Sequence, residues 1–159
     1  MYDVTFYFAH HYLEKGDRTI DQMVQAARSG KQNIAEGAAA GNTSKETEIK
    51  LTNVAKASLQ ELLVDYEDFL RVRGLKQWQP DDARLAQTKR ACAAHNDSEY
   101  YRKAMPERSA ETIANIAITL IHQTDWLLNK LIEKLEIQFV ENGGVKEQMT
   151  KARKEYRGY

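Results

Sequence analysis

Apolar residues recur every three to four positions in four segments of the chain, which is the spacing of one face of an α-helix. These segments predict helices over residues 2–15, 18–37, 44–73 and 108–140. The first helix is aromatic and apolar on nearly all sides, so we expect other elements to cover it on more than one side. The second and third are joined by a short turn and should run antiparallel. The pattern predicts an all-α protein, an antiparallel up-down four-helix bundle.

Glycine and small polar residues mark the turn between the second and third helices. Gly37 stands where a helix can end with a residue in the left-handed conformation. Residues 41–44, with the sequence GNTS, form a typical turn cluster, in which Thr43 or Ser44 would cap the third helix. Glu46 would complete a capping box with Thr43, because it lies three residues further on.

The last helix carries an apolar face that we expect to point into the bundle. Its positions are Ile113, Ala117, Leu120, Thr124, Leu127, Leu131 and Leu135. Before it, residues 75–107 are interpreted as an insertion, with extra short helices predicted between 81 and 104, the first opening at Pro80. After it, residues 142–144 predict a stop, and residues 145–159 form a basic tail that is either a short helix or disordered.

Length and composition fit a single cytoplasmic domain. The chain of 159 residues has one cysteine, Cys92, so no internal disulfide can form. No apolar run approaches the length of about 18 residues that predicts a membrane span, and the first residues lack the pattern of a signal peptide. Lysine plus arginine balances aspartate plus glutamate, 23 against 23, whereas nucleic-acid-binding proteins usually carry a basic excess. The balance counts mildly against nucleic acid, unless positive charge is concentrated on one face.

Catalytic and metal-binding patterns are missing from the sequence, so we expect no metal, no cofactor and no enzymatic activity. A di-iron bundle requires Glu-x-x-His motifs, and none occurs. His10 and Glu14 stand one turn apart, a weak ligand pair that is more typical of an exposed helix surface. Cys92 and His95 could face each other on a helix, but no third group that would orient them is evident. A half-buried structural cysteine is the favoured interpretation.

Polar residues near the end of the second helix form the main candidate site. They are Arg28, Gln32, Asn33, Glu36 and Gly37. One interpretation is a hydrogen-bonded network that fixes the geometry of the turn. The other is a binding patch, in which Arg28 and Lys31 face a phosphate or an acidic partner. Gly30 in the same helix costs about 1 kcal/mol relative to alanine, so a close helix contact is its expected reason.

Acidic residues cluster in the middle of the third helix. They are Glu61, Asp65, Glu67 and Asp68. Such a cluster is usually a solvated face with ion pairs one turn apart, such as Glu67 with Arg71. Alternatively it meets a basic patch on a neighbouring subunit, and one side of the aromatic first helix would then lie at a similar interface. Both interpretations stay open from the sequence alone.

The segment NIAEG at Asn33 to Gly37, followed by a polar turn and SKETEIKLTNVAKASLQELLVDYEDFL, resembles a known family. This is the four-helix-bundle family encoded in intervening sequences of bacterial 23S ribosomal RNA genes. The segment DQMVQAARSGKQNIAEG at Asp21 to Gly37 is similar to its four-helix-bundle suffix domain branch. The resemblance is strong over residues 18–73 and looser over residues 109–157.

The resemblance implies a bacterial four-helix bundle that assembles into rings, notably pentamers. Together with the missing catalytic motifs, it favours a non-enzymatic oligomeric scaffold or interaction module. It also implies an alternative, an accessory protein that binds RNA or an RNA–DNA hybrid, because relatives lie within ribosomal RNA genes and a similar bundle serves diversity-generating retroelements. The contacts to nucleic acid would come from Arg28, Lys31, Lys151, Arg153, Lys154 and Arg157.

Overall fold

The computed structural model describes residues 1–158, and every regular element in that range is helical. Helices make up 82% of the chain, which confirms the predicted all-α class. The elements are α1 (Tyr2–Tyr12), α2 (Arg18–Ala40), α3 (Lys45–Val72), α4 (Ala83–Ala94), α5 (Ser98–Ala104), a 3-10 turn (Met105–Glu107), α6 (Ala110–Asn142) and α7 (Val145–Arg157). The predicted tail extends to residue 159, which lies outside the described residues.

Side chains cap five of the helices at their N-termini. The capping residues are Asp17, Ser44, Asp82, Asp97 and Ser109. Ser44 accepts a hydrogen bond from the amide of Thr47 at 3.2 Å, so the predicted capping box of Thr43 and Glu46 is wrong. Glu46 instead pairs with Lys50 at 2.9 Å, one turn along the surface of α3. The predicted turn therefore ends one residue later than the capping box required.

Two glycines of α2 lie where this helix approaches α3 most closely. Gly37 is inside α2, which continues to Ala40, so the predicted left-handed helix end at this position is wrong. A Cβ atom at Gly37 would lie 3.4 Å from the Cβ of Leu51, and one at Gly30 would lie 3.1 Å from Cδ2 of Leu59. The close helix contact expected at Gly30 is confirmed. Gly30 faces Leu59, and Gly37, further along α2, faces Leu51, which comes earlier in α3. The two helices therefore run antiparallel.

α1 closes one part of the core with aromatic side chains. It packs against α2 and α6, and Phe8 contacts Tyr66 and Phe69 of α3, with ring centroids 4.9 and 4.6 Å apart. The Tyr66 hydroxyl donates to Thr5 Oγ1 at 3.0 Å, and both residues are fully buried. These contacts confirm that α1 is covered on more than one side. The helix ends at Tyr12, three residues earlier than predicted.

α1 reaches along only part of α6. The hydroxyl of Tyr12 donates to the carbonyl of Arg108, just before α6 begins, at 2.9 Å. The 11 residues of α1 span about 16 Å and the 33 residues of α6 about 50 Å at about 1.5 Å per residue, so α1 lies beside only part of α6. We call the parts of α2, α3 and α6 beside α1 the covered end. We call residues 122–142 of α6, with the parts of α2 and α3 beside them, the open end.

The predicted inward face of α6 is correct except at Leu127. Ile113 and Ala117 are fully buried and Leu120 is half-buried, but Leu127 is 59% exposed. The buried residues of α6 at the open end are Leu128, Ile132 and Leu135. The predicted position Leu127 is therefore wrong, whereas the predicted position Leu135 is buried.

Residues 75–107 are folded against the rest of the chain. α4 packs on α6, and α5 packs on α1. The amide of Trp78 donates to Asn115 Oδ1 at 2.8 Å, which fixes the connection to the side of α6. α4 begins at Ala83, so the predicted helix start at Pro80 is wrong, whereas the predicted short helices of this segment are confirmed.

Candidate functional site

Asn33 is the member of the predicted polar set that is linked to α3, through Ser29 of its own helix. Its Nδ2 donates to the carbonyl and to Oγ of Ser29, at 2.9 and 3.2 Å. Ser29 Oγ in turn lies 2.8 Å from Oγ of Ser58 on α3. This chain of hydrogen bonds satisfies polar groups between two closely packed helices and fixes their relative position. Ser29 and Ser58 were not predicted, because the sequence does not show that residues 29 positions apart face each other.

The other polar members of the set point away from the α2–α3 contact. Arg28, Gln32 and Glu36 are exposed, and within residues 1–158 none of them has a hydrogen bond or an ion pair. Gly37 is buried against α3. The structure therefore divides the set: Asn33 and Gly37 belong to the helix contact, whereas the three exposed side chains form a polar surface on α2.

A buried carboxylate at the turn was missed by the sequence analysis. Glu48 is only 8% exposed, and its Oε2 accepts a hydrogen bond from Lys45 Nζ at 3.2 Å. A Cβ atom at Gly41 would lie 2.0 Å from this oxygen, so the carboxylate occupies the space that the missing side chain leaves. The spacing Lys45-x-x-Glu48 next to Gly41 was the available signal. The arrangement holds the start of α3 against the end of α2.

The acidic cluster of α3 is paired differently from the prediction. Arg71 pairs with Asp68 at 2.6 Å, and Glu67 accepts a hydrogen bond from Gln77 at 3.0 Å, so the predicted Glu67–Arg71 pair is wrong. Asp65 is half-buried. Burial, and then the nearby charges of Asp68 and Glu61, raise the pKa of Asp65 above its ordinary value. The cluster therefore keeps an excess of negative charge.

The predicted basic residues fall into two separate groups. Arg28 and Lys31 lie on α2, where Lys31 Nζ is 4.6 Å from the centroid of the Tyr2 ring. The other four are all exposed on α7: Lys151, Arg153, Lys154 and Arg157. α7 starts near the α2–α3 turn, since residues 41–46 and 143–148 line one groove. Lys31 lies ten residues before Gly41, or about 15 Å along α2, so the described structure does not bring the two groups together.

The cysteine and histidine of α4 do not form a nucleophile and base. Cys92 is buried, and burial raises the pKa of its thiol, which shares a hydrogen bond with Tyr101. His95 follows the last residue of α4, and its ring stacks on Tyr100 with centroids 3.7 Å apart. A thiol held protonated by burial is a poor nucleophile. The structure assigns Cys92 to the contact between α4 and α5.

Metal-binding and membrane features are likewise not found in the described part. No three side chains of His, Cys, Asp or Glu in residues 1–158 are grouped so that they could hold a metal ion. Glu14 lies beyond the end of α1, and His10 Nδ1 is 2.8 Å from the carbonyl of Phe6. Across residues 1–158, every helix is too short or too polar to cross a bilayer.

Comparisons of the chain with models of protein families, with curated proteins and with solved structures find no match. The resemblance to the 23S ribosomal RNA intervening-sequence family, strong over residues 18–73 and looser over residues 109–157, therefore stays a prediction from the sequence.

Proposed function

We propose that α1, α2, α3 and α6 form an antiparallel up-down four-helix bundle whose copies assemble into a homo-oligomeric scaffold or interaction module without enzymatic activity. The contacts of α1 with α2 and α6, of α2 with α3, and of α3 with α6 support four neighbouring helices. The protonated, buried Cys92 and the polar network of Asn33 both serve packing, which supports a structural role. A single buried cysteine is also typical of a reducing compartment, so we propose a cytoplasmic location.

The observation that carries this proposal is the exposed apolar surface of the open end. Four large apolar side chains of α6 are exposed there, from 59% at Leu127 to 82% at Val140: Trp126, Leu127, Ile137 and Val140. Apolar surface concentrated in one region of a water-soluble fold usually marks an interface. Covering these side chains with a second copy would bury area at roughly 25 cal/mol per Å². The family resemblance suggests a ring, such as a pentamer, as the assembly.

Light scattering coupled to size exclusion tests the proposal. At micromolar concentration we expect a mass that is a multiple of the chain, and we expect Leu127→Glu to shift it toward the monomer, because a charge would have to enter the interface. Ala86→Glu is the control: Ala86 is exposed on α4, outside the open end and outside the outward face of α3. A wild-type protein that stays monomeric at every concentration would overturn the scaffold.

The alternative function, binding of RNA or an RNA–DNA hybrid, is favoured by one observation, the basic surface of α7. Lys151, Arg153 and Lys154 are all exposed on a single helix. The distance between this helix and Lys31 counts against one continuous basic face on the monomer. Filter binding of structured RNA at two salt concentrations tests it, because neutralising several phosphates produces a steep loss of affinity with salt. Absence of binding at low salt would remove the alternative.

A further inference from the structure

α7 buries none of its side chains against the described part of the chain. It has 13 residues, from Val145 to Arg157, and none of them is buried. Isolated helices shorter than about 12–15 residues are marginal in water, and most helical stability in proteins comes from packing of an apolar face. We propose that α7 docks onto the outward face of α3 in a second copy of this chain, an inference that rests on the proposed homo-oligomer.

The docking face of α7 is a line of apolar side chains with a basic edge. The apolar residues are Val145, Met149, Ala152 and Tyr156. Their spacing of four, three and four residues keeps them on one side of the helix, the pattern that packs against another helix. Lys146 and Arg153 each follow one of these residues and lie seven residues apart, so both border the same edge. A partner surface should therefore combine apolar and acidic side chains.

The outward face of α3 has this composition and a matching spacing. Its exposed residues recur at intervals of three and four: Val54, Ala57, Glu61, Val64 and Asp68. Val54 and Val64 are 47% and 53% exposed. Glu61 and Asp68 supply carboxylates beside them, and the raised pKa of Asp65 reflects both its burial and the repulsion within this cluster. Lys146 and Arg153 of α7 would relieve that repulsion, and Val54 and Val64 of α3 would cover the apolar residues of α7.

The geometry of the chain directs α7 to another copy. α7 begins near residues 41–46, at the N-terminal end of α3, and its 13 residues span about 20 Å. Glu61 lies 17 residues beyond Ser44, about 25 Å along α3. The helix is therefore too short to lay its face over the acidic cluster of its own chain. A contact between two different surfaces is heterologous, and repeated around an axis it closes into a ring.

Other partners fit α7 less well. Two copies of α7 packed antiparallel would place Lys146 and Arg153 of one against the same residues of the other, so like charges would face each other. Helices that lie on membranes bury large residues such as Trp, Phe and Leu, and the apolar line of α7 contains one aromatic residue, Tyr156. RNA would contact the charged residues around α7, and its binding would not explain the apolar residues on one side of the helix.

The test compares two charge reversals on opposite sides of α7. Lys146→Glu with Arg153→Glu reverses the docking edge, and Lys151→Glu with Lys154→Glu makes the same charge change on the other side of the helix. Light scattering reports the mass, and hydrogen exchange reports the protection of amides 149–156. In the wild-type protein we expect this protection to rise with concentration. We expect the first pair to lower it at least about tenfold and to reduce the mass, while the second pair leaves both unchanged.

A compensating variant separates lost docking from lost folding. Glu61→Lys with Asp68→Lys, combined in one chain with the docking-edge reversal, should restore the mass and the protection. If the wild type is oligomeric but the docking-edge reversal changes neither readout, the docking is wrong and the scaffold stands. If the wild type is a strict monomer, the scaffold fails and the docking with it. If α7 becomes protected only after addition of structured RNA or anionic phospholipid vesicles, or if both reversals act equally, the docking is wrong.

Discussion

The covered and open parts of α6 differ in apolar content and in surroundings. From Ala110 to Ile121, seven residues are buried, and from His122 to Asn142 only three are. The covered half touches α1, α3 and α4, because Tyr12 holds α1 beside its start and Trp78 holds the connection to α4. At the open end, α6 packs mainly against α3. The comparison shows that a continuous amphipathic pattern fixes a helix, whereas the length of its neighbours decides which of its faces is inside.

The largest expected difference between the halves is in the cost of truncating a leucine-sized side chain. Ile121 is fully buried at the end of the covered half, so Ile121→Ala should lower the free energy of unfolding by about 2–5 kcal/mol. Leu127→Ala, six residues later, should change it by less than about 0.5 kcal/mol when measured below the assembly concentration. Urea denaturation measures both. Equal losses would show that the open end is packed like the covered end.

A smaller effect is expected at the contact of α2 with α3, which extends through both ends. Gly30→Val would push a larger side chain into Leu59, whose Cδ2 is 3.1 Å from the position of the new Cβ. The crowding should cost about 1–3 kcal/mol, partly offset by the better helix propensity of valine. Ala35→Val at an exposed position of the same helix is the control and should have little effect. A stabilised Gly30→Val protein, measured by thermal unfolding, would contradict the close contact.

The smallest effect concerns one buried hydroxyl at the covered end. Tyr66→Phe removes the hydrogen bond donated to Thr5, and should cost about 1 kcal/mol near neutral pH. Burial raises the pKa of Tyr66 above its ordinary value. The neutral phenol therefore contributes its full stability below about pH 10, which is the ordinary pKa of tyrosine. This stability is lost as the pH rises toward the folded-state value.

The wild-type protein should therefore lose stability faster than Tyr66→Phe above about pH 10. The difference in the free energy of unfolding between the two should shrink as the pH increases. Parallel urea denaturation series at neutral and alkaline pH measure this difference. A difference that is constant with pH would mean that water reaches the Tyr66 hydroxyl, contrary to its position in the core.

Much of the fold could be predicted because local signals set it. The helical periodicity, the turn at residues 41–44, and the serine caps Ser44 and Ser109 each depend on neighbours in sequence. The end of α2 was missed because Gly37 is used for close approach to Leu51, and a glycine required for packing looks the same in sequence as one required at a helix end. The exposure of Leu127 depends on which helices lie beside α6 in space.

The candidate site was predicted less completely than the fold. Asn33 was identified, but its partners Ser29 and Ser58 are ordinary small polar residues whose pairing depends on the register of two helices. Glu48 was passed over since a glutamate in the first turn of a helix is usually explained by the helix dipole. The two groups of basic residues were predicted as contacts to nucleic acid, and only the three-dimensional arrangement shows that they lie apart.

The hydrogen bond from Tyr12 to the carbonyl of Arg108 links residues 96 positions apart. While the protein is being made, α2 and α3 can pair as soon as both have left the ribosome, because their contacts are local. Phe8 of α1 can pack on Tyr66 and Phe69 once α3 has been made. Tyr12 must wait for Arg108, which at about 5–20 residues per second means about 5–20 seconds on a nascent chain. During that interval the C-terminal end of α1 lacks its last anchor.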